Sequence, residues 1–323
     1  MAGAGALGYH HIRLLREVEG ATCAGFHEAD AARAATVSAE LGVPAHASLD
    51  ALLAECDAIC VVVPTPAHAA VAGDAIKRGK HLLVEKPLCT TLAEADELLS
   101  SSRRAGVIVQ TGHIERFNRA VRAALPHVDS PRFISSDRLA PFNLRGSDVA
   151  VVLDLMIHDI DLVQTLIGGT VADIQAVGIP VLTPSVDIAN ARLAFANGAV
   201  ATITASRVSR ERMRKLRIFQ QSGYLSLDLA AGNGEFFRLR KGFDPAQLLA
   251  GPPSLEAFVE HIPLTAPEGE PLKLELQSFV DAIHGRGPVV VTGDDGREAL
   301  SVATRIMTSI EASLAGALGR RGA

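Results

Sequence analysis

The sequence lacks the features of several protein classes. It contains only four cysteines in 323 residues, without a CxxC pair or a zinc-like set, which argues against a cysteine-based metal site. No uninterrupted apolar run reaches the length of a membrane span, and no basic segment followed by an apolar one opens the chain, so we expect neither a membrane protein nor a signal peptide. The apolar surroundings of most cysteines favour reduced thiols and a cytoplasmic location.

A broad excess of basic residues is also absent. The formal net charge is −5 and the isoelectric point is near 6.1, so nucleic acid is not expected as a main partner. With 323 residues, of which 48% are hydrophobic, the chain has room for about two domains with sizeable cores. One local basic cluster could serve a phosphorylated small ligand, and it consists of Arg207, Arg210, Arg212, Arg214, Lys215 and Arg217.

The first segment with a chemical implication is a glycine-rich loop near the N-terminus. Residues 3–8 read GAGALG, and a helix-like stretch follows. Glycines let the backbone approach a pyrophosphate, whose charge is met by the helix N-terminus. Glu28 lies about 20 residues after the last glycine, the spacing of an acidic residue that binds the adenosine ribose. Its carboxylate would repel a 2′-phosphate, so NAD is favoured over NADP, although Glu28 could also be a solvated strand end. The predicted cofactor contacts of the loop are Gly3, Gly5, Ala6, Leu7 and Gly8.

The start of the chain does not fit this pattern. A dinucleotide-binding fold needs a central strand before its glycine loop, yet only Met1 and Ala2 precede Gly3. Four missing apolar residues, at roughly 1.5–3 kcal/mol each when buried, would amount to the net stability of a domain. We therefore expect a start that is placed too late or a chain that has been cut, and cofactor binding is the property at risk if Met1 is the true start.

The N-terminal half alternates apolar strand-like runs with helix-like stretches. Such alternation predicts a parallel sheet wrapped by helices, and hence a Rossmann domain over residues 1–117. Three polar segments each follow a strand, and ligands bind at the carboxyl ends of such strands. These segments are VPTPAH (Val63 to His68), EKP (Glu85 to Pro87) and GHIERFN (Gly112 to Asn118).

From Pro131 the pattern becomes strand-rich. Seven runs alternate apolar and polar residues and are separated by turn signals, which predicts a largely antiparallel sheet with one open face. We expect helices at VVLDLMIHDIDLVQTLIG, at 272–284 and at 296–318. The fold class is α/β, with a second domain over 118–289 and a C-terminal helix of about 290–323 that packs back on the first domain.

Two polar positions suggest catalysis. Asp154 and His158 are four residues apart on a predicted helix, so that the carboxylate can orient the imidazole for proton transfer. The alternative is a helix with one solvated acidic face, since Asp159 and Asp161 lie close by. No strong cluster of further ligands accompanies the histidine, so no metal is expected.

Lys86, in EKP, is either a solvent-exposed strand end or a functional lysine on a backbone that proline fixes.

These motifs together carry a family resemblance. GAGALG, VPTPAH, VEKP, QTGHIERFN and the D-x-x-x-H of Asp154 and His158 occur in the order seen in the glucose–fructose oxidoreductase / inositol dehydrogenase / rhizopine catabolism family. The sequence is identified as a member over essentially its whole length, except for the missing first strand. The resemblance favours the functional interpretation of Lys86 and His158 over both alternatives.

The resemblance implies a Rossmann domain joined to an α/β domain for substrate binding and oligomerisation, whose open sheet forms a homodimer or homotetramer. It implies that Lys86 lies near the nicotinamide ribose and the reacting hydroxyl, often before a cis peptide bond. It also implies that His158 is the general base and Asp154 its partner. The implied cofactor contacts outside the glycine loop are Glu28, Pro64, Thr65, His68, Glu85 and Lys86. The implied substrate contacts are Lys86, His113, Arg116, Asn118, Asp154, His158, Arg207 and Lys215.

A finer resemblance concerns the substrate. GHIERFN, VLDLMIHDIDLV, VGIPVLTPSVDIANARLAF and TASRVSRERMRKLRIFQ resemble bacterial enzymes that oxidise the 3-hydroxyl of UDP-N-acetylglucosamine and work with a PLP aminotransferase in lipid A biosynthesis. Arg207, Lys215 and Arg217 could neutralise the diphosphate of such a substrate, but strand alternation prevents all of them from facing one ligand, and a solvated or subunit-interface face is the alternative. Two other functions stay open: a dehydrogenase for a free sugar, cyclitol or other nucleotide sugar, and a non-catalytic NAD-binding sensor or scaffold.

Overall fold

The structure is a computed structural model that describes residues 1–143, 149–240, 242 and 258–319. It divides into two compact units. The first contains Met1–Phe117 and Gly269–Ser301, and the second contains Asn118–Glu268 and the residues from Val302 onward. The chain thus returns to the first unit at Gly269, earlier than the predicted residue 290, and the division falls inside the last helix. None of the helices in the described ranges has both the length and the apolar character needed to cross a lipid bilayer.

The elements follow the order of the chain. The helices are α1 (Ala6–Leu15), α2 (Ala31–Leu41), α3 (Leu49–Ala54), α4 (His68–Lys77), α5 (Leu92–Ala105), α6 (Arg119–Ala124), α7 (Ile157–Ile167), α8 (Pro271–Ile283) and α9 (Gly293–Gly319). Short 3-10 helices span Thr65–Ala67, Ile114–Phe117 and Leu125–His127. The strands are β1 (Ala58–Val61), β2 (His81–Glu85), β3 (Val109–Gly112), β4 (Phe133–Leu139), β5 (Val171–Ile179), β6 (Ile188–Phe195), β7 (Val200–Ser206), β8 (Met213–Gln220), β9 (Gly223–Asp228), β10 (Asn233–Leu239) and β11 (Val259–Leu264).

Capping residues fix the ends of the helices around the first sheet. Asp30 accepts hydrogen bonds from the first turn of α2, and Gly42 ends that helix in the left-handed conformation at φ 62°. At α5, Thr91 and Glu94 form a reciprocal capping box, and Gly106 ends the helix at φ 67°. Carboxylate and hydroxyl oxygens satisfy otherwise unbonded N–H groups at a helix start, and glycine adopts a positive φ without strain. These local signals explain why both helices end at a glycine.

The first unit contains the predicted parallel sheet. Strands β1, β2 and β3 pair in parallel. Single parallel bridges extend the sheet beyond β1, because Ala2 bridges Val61 and His27, and Phe26 bridges Ala45. Taken along the sheet, these positions give the doubly wound strand order of a dinucleotide-binding domain. The Rossmann prediction is confirmed.

Met1–Gly3 lie at the position of the central strand. Their amide and carbonyl groups pair with the strand that contains Cys60 on one side and with His27 on the other. The amino group of Met1 donates a 3.1 Å hydrogen bond to the carbonyl oxygen of Gly25. Burial lowers the pKa of this amino group, because a charge is costly away from water. Met1–Gly3 therefore tie the glycine loop to the strands on both sides.

The second unit is built on an eight-stranded sheet in the order β11-β10-β9-β8-β4-β7-β6-β5. Every neighbouring pair is antiparallel except β4 and β7, which run parallel. The predicted large, mostly antiparallel sheet is confirmed. Strand β11 was not predicted. It is an edge strand that contains Pro263, and proline is tolerated at an edge while it weakens the sequence signature of a strand.

The two faces of this sheet differ. On β8, Leu216 and Ile218 are buried while Arg217 and Phe219 are exposed, as the alternation of side chains along a strand requires. A row of stacked rings crosses five strands on the exposed side, with ring centroids 4.9–5.5 Å apart. We call this row the aromatic ladder, and it consists of Phe133, Phe219, Tyr224, Phe237 and His261.

A buried carboxylate organises the turn between β5 and β6. Asp187 accepts hydrogen bonds from the backbone N–H groups of Val181, Leu182 and Thr183 at 2.7–2.8 Å. The hydroxyl of Thr183 donates a fourth bond at 2.8 Å. Burial opposes the charge of Asp187, but the hydrogen bonds outweigh it and lower the pKa of this carboxyl group to about 2. The ionised carboxylate thus holds the turn closed.

We expect this turn to make the second unit sensitive to acid. Because the folded pKa of Asp187 lies below its unfolded value, the ionised group stabilises the fold above about pH 4. That contribution, roughly 2 kcal/mol, is lost as the pH falls from about 4 towards 2. Asp187→Asn should therefore have a lower free energy of unfolding than wild type at neutral pH, and this deficit should become smaller near pH 3. Urea titration at each pH measures it. The matched control is Asp173→Asn at an exposed position of β5, and an equal Asp187→Asn deficit at both pH values would contradict the assignment.

Candidate active site

The glycine loop shows two different uses of glycine. Gly3 has φ 89°, and a Cβ atom there would lie 2.5 Å from the carbonyl oxygen of Val62. A Cβ atom at Gly8 would overlap the carbonyl group of Gly3. At Gly5, by contrast, a Cβ atom would meet no described atom within 4 Å. Gly3 and Gly8 are therefore required by the packing of the chain itself, whereas Gly5 borders space that a ligand can enter.

The start of α1 fits an anionic ligand. The helix begins at Ala6, after Gly5, and no side chain in the described ranges caps its first turn. The first N–H groups of a helix have no partners within the helix, and they attract negative charge. The exposed Ala6 and the half-buried Leu7 border this end. Together with the open space at Gly5, this end of α1 provides what the pyrophosphate of NAD requires.

Glu28 is tied to the glycine loop. One of its carboxylate oxygens accepts a 2.7 Å hydrogen bond from the N–H of Ala4, and the other accepts one from the N–H of Asp30 at 3.1 Å. Arg33 donates from Nε to the carbonyl oxygen of Ala4 at 2.9 Å. Glu28 is half-buried and therefore not simply a solvated strand end. A negative charge beside the loop favours a free ribose hydroxyl over a phosphorylated one.

We expect Glu28→Ala to weaken NAD binding by about 10–100-fold, since hydrogen bonds to a charged group contribute about 1.5–3 kcal/mol. Glu28→Gln keeps an oxygen for the N–H of Ala4 but removes the charge, so it should narrow the preference for NAD over NADP. Titration calorimetry with both cofactors measures the two effects. An unchanged NAD affinity in Glu28→Ala would show that the carboxylate does not contact the ribose.

Of the three predicted cofactor contacts after β1, two are accessible and one is buried. Pro64 is exposed and Thr65 is half-buried at the start of a 3-10 helix. The ring of His68 is only 1% exposed, with Nδ1 3.0 Å from the carbonyl oxygen of Pro87 and Nε2 2.9 Å from that of Val63. His68 was predicted to bind the cofactor. Its ring instead ties the loop after β1 to the turn after β2, so any effect on the cofactor acts through the backbone.

The EKP turn follows β2. The peptide bond between Lys86 and Pro87 is cis, and Lys86 is half-buried rather than fully solvated. Glu85 is 8% exposed, and its carboxylate contacts Nε2 of His11 at 3.1 Å and the N–H of Lys86 at 3.2 Å. Burial alone would raise the pKa of Glu85, but His11 and the charge of Lys86 outweigh it and lower this pKa. Sequence reasoning missed His11. A signal was available, because His11 lies three residues after Gly8 of the glycine loop and therefore on the same helix face.

The third strand-end segment is largely occupied by structural contacts. His113 is fully buried, and the guanidinium of Arg116 lies 3.7 Å from the carboxylate of Asp295. Asn118 accepts a hydrogen bond from the N–H of Ala120 at the start of α6, and its amide donates to the carbonyl oxygen of Leu229. Asn118 was predicted to contact the substrate. Both of its polar ends hold the chain where the second unit begins, which points to a structural role.

The second unit carries Asp154 and His158. The helix predicted here begins with a π-helical turn over Val152–Met156, followed by α7. Asp154 lies in the π-helical turn and His158 in the first turn of α7, and both are half-buried. Single π-helical turns inside helices occur frequently at functional sites. Among the described residues, no group of three or more His, Cys, Asp or Glu side chains is placed to hold a metal ion.

A buried ion pair anchors α7 to the sheet beside His158. Asp159 and Arg138 are 1% and 3% exposed, and Nε of Arg138 donates to Asp159 at 2.5 Å. The hydroxyl of Ser136 donates to the same carboxylate at 2.8 Å. Asp161 is also buried. The alternative of a solvated acidic helix face is therefore wrong, and Asp159 fixes the residue next to the candidate base.

Three residues of the basic cluster are held by different partners. Arg207 is buried, donates to the carbonyl oxygen of Val149 and lies 3.9 Å from Asp187. Lys215 pairs with Asp228 at 2.8 Å and Arg217 with Asp137 at 3.7 Å. Lys215 is opposite Asp137 in the strand register, on the sheet face that carries the aromatic ladder. Helix α7 packs on the other face through Ser136 and Arg138. Lys215 therefore points away from α7, which does not support the prediction that it binds substrate.

Comparison with known proteins shows the family of this chain. Residues 1–113 match an oxidoreductase family with an NAD-binding Rossmann fold, and residues 120–226 match the Gfo/Idh/MocA C-terminal domain. The chain belongs to the Gfo/Idh/MocA family. The predicted family, oxidoreductase class and NAD cofactor are confirmed at this level.

Two known enzymes are similar to this chain, one over nearly its whole length and the other over about two thirds of it. UDP-N-acetylglucosamine 3-dehydrogenase from Acidithiobacillus ferrooxidans is 37% identical over 97% of this chain and 96% of its own. A solved structure of that enzyme, GnnA, superposes with a TM-score of 0.87 at 35% identity and covers 96% of both chains. The scyllo-inositol 2-dehydrogenase (NAD(+)) of Bacillus subtilis is 28% identical over 64% of this chain and 66% of its own.

Proposed function

We propose that the protein oxidises the 3-hydroxyl of UDP-N-acetylglucosamine to a ketone with NAD. The observation that carries this proposal is the 37% identity to a UDP-N-acetylglucosamine 3-dehydrogenase across 97% of the chain. The presence of Lys86, Asp154 and His158 supports catalysis over a non-catalytic sensor or scaffold. A dehydrogenase for a free sugar or a cyclitol is the second candidate, favoured by the shorter and weaker similarity to scyllo-inositol 2-dehydrogenase.

Bound NAD supplies the hydride acceptor. His158 takes the proton of the reacting hydroxyl, and Asp154 orients the ring and stabilises its protonated form. The ammonium group of Lys86 stabilises the negative charge that develops on the reacting oxygen. The glycine loop and Glu28 hold the cofactor at its pyrophosphate and ribose.

A substrate panel tests the function. The protein is mixed with NAD and either UDP-N-acetylglucosamine, N-acetylglucosamine or scyllo-inositol, and the absorbance of reduced nicotinamide is followed with a ketone trap present. We expect reduction with UDP-N-acetylglucosamine and a kcat/KM at least about tenfold lower with the other two. Turnover of scyllo-inositol alone would establish the second candidate. Measured NAD binding without turnover of any of the three would refute both.

The fate of the product is part of the proposal. A 3-keto nucleotide sugar is the substrate class of a PLP aminotransferase, which would replace the ketone oxygen with an amine. We therefore propose functional coupling to such an enzyme, and its addition with an amino donor should raise the yield of reduced nicotinamide. The four cysteines are free thiols, which supports a reducing, cytoplasmic setting for both reactions.

We also propose that the protein is a homodimer or homotetramer joined through the open sheet face. Two rings of the aromatic ladder are exposed large hydrophobic side chains, Phe133 at 36% and Phe219 at 37%. The charges nearby are already paired, as with Arg217 and Asp137, so burying the face would leave few uncompensated ions. Apolar patches of this kind commonly mark protein interfaces.

Phe219→Asp is expected to shift the protein from its oligomer towards the monomer, because the new carboxylate would be buried without a partner. Light scattering coupled to size exclusion gives the mass of each species. Leu125→Asp is the matched control, since Leu125 is 48% exposed but lies outside the aromatic ladder. Equal masses for wild type and Phe219→Asp would argue against this interface.

A further inference from the structure

Beneath the cofactor loop, the first unit contains a buried contact between two distant segments. His11 is fully buried in α1, and its Nε2 lies 3.1 Å from a carboxylate oxygen of Glu85 at the end of β2. Within the part of the chain that the structure describes, Nδ1 of His11 has no hydrogen-bond partner. The polar interaction of this ring is therefore directed to one carboxylate, which is separated from it by 74 residues in the sequence.

The carboxylate of Glu85 is confined on several sides. Its second oxygen accepts the N–H of Lys86 at 3.2 Å. A Cβ atom at Gly112, at the end of β3, would lie 2.9 Å from the carboxyl carbon, so glycine at that position leaves the space that the carboxylate fills. Hydrogen bonds from His11 and Lys86 keep the pKa of Glu85 low against the opposing effect of burial. A charged group held this tightly can fix the turn that follows it.

We infer that His11 is a positioning residue for the dehydrogenase reaction: by holding Glu85, it sets the position of the Lys86 backbone and hence of its ammonium group. The inference rests on the proposed function of Lys86. His11 itself is buried and contacts no reacting atom, so it acts only through Glu85. The pair also links the helix that meets the pyrophosphate to the turn that carries the reactive lysine, both within the first unit.

Three variants separate positioning from simple loss of structure. His11→Leu removes the hydrogen-bond donor and puts an apolar side chain of similar size in its place. His11→Gln keeps an N–H group that can reach the carboxylate. His10→Leu is the matched control, because His10 is the neighbouring residue on the exposed side of α1. All are compared with wild type as full-length protein after the folded fraction has been measured by urea titration.

The first measurement is steady-state turnover of UDP-N-acetylglucosamine. We expect His11→Leu to lower kcat about 10–100-fold, the size of effect that a small misplacement of a catalytic group produces. KM for NAD should change less than about threefold, because an effect confined to kcat marks an interaction that matters in the transition state. His11→Gln should recover most of the loss, and His10→Leu should match wild type. A merely structural role would lower the folded fraction without changing kcat per folded molecule.

The second measurement needs neither substrate nor cofactor. Lysines are labelled with trinitrobenzenesulfonate, and the rate at Lys86 is read by mass spectrometry relative to the exposed Lys77. We expect His11→Leu to raise the relative rate at Lys86 about threefold or more, because a turn that is held less firmly opens more often. If His11→Leu does not fold, Glu85→Gln replaces it, since it keeps the shape of the side chain and removes the charge that binds His11.

The outcomes are distinct. An unchanged kcat per folded molecule together with an unchanged Lys86 labelling rate overturns the inference. Altered labelling with a wild type that does not turn over UDP-N-acetylglucosamine refutes the proposed substrate while the positioning of Lys86 by His11 stands. Altered labelling and lowered kcat, both recovered in His11→Gln, establish His11 as a positioning residue.

Discussion

Turnover of His158→Ala is expected to fall about 10²–10⁴-fold, the usual contribution of general acid–base catalysis, while NAD binding stays unchanged. The expectation combines two observations within the second unit. His158 is half-buried in the first turn of α7, and Asp154 lies four residues earlier in a π-helical turn. Loss of the imidazole removes the proposed general base, whereas the residues predicted to contact NAD all belong to the first unit.

Two companion variants sharpen this test. Asp154→Asn keeps the size of the side chain and removes its charge. It should lower kcat by less than His158→Ala does, because the proposed base, the imidazole of His158, remains in place. His10→Ala, at an exposed position of α1, controls for loss of a histidine as such. NAD affinity is measured by calorimetry and kcat by reduced-nicotinamide absorbance. If His158→Ala turned over at the wild-type rate, another residue would have to be the base.

The parts of the fold that could be predicted are those encoded by neighbouring residues. Gly42 and Gly106 end helices at positive φ, and the apolar runs of β1 and β2 are buried strands. The glycine loop followed by a helix and by Glu28 predicted a dinucleotide site because the required contacts lie within one strand–helix–strand unit. Local propensity and turn chemistry therefore agree with the final structure in these segments.

What could not be predicted depends on pairing between distant segments. The partner of Glu85 is His11, and the partner of Asp159 is Arg138, contacts that no local pattern specifies. The direction of Lys215 depends on the register of β8 against β4, and a shift of one residue would move every side chain to the other face. Charged residues in a sequence thus suggest a site, but strand register decides whether they face it.

The buried pair of Arg138 and Asp159 leads to the largest expected effect on stability. Arg138→Met should lower the free energy of unfolding by about 3–5 kcal/mol, because it leaves the carboxylate of Asp159 buried without its cation. The cost is high because neither group reaches water, with exposures of 3% and 1%. Urea titration of the folded protein measures it. Arg217→Met is the matched control, since Arg217 pairs with Asp137 in a partly exposed site, where ion pairs contribute about 0–1 kcal/mol.

A double variant distinguishes the effect of the ion pair on stability from the effect of side-chain packing. Arg138→Met combined with Asp159→Leu removes both charges, and replacing a buried ion pair with apolar side chains is often neutral or stabilising. We therefore expect the double variant to be more stable than Arg138→Met alone. Its α7 would then be held by apolar contact without the directed bonds from Arg138 and Ser136, so kcat should fall even where stability recovers. A double variant with wild-type kcat would mean that the pair stabilises the unit without positioning His158. A double variant less stable than Arg138→Met would mean that packing, not charge, determines the loss of stability.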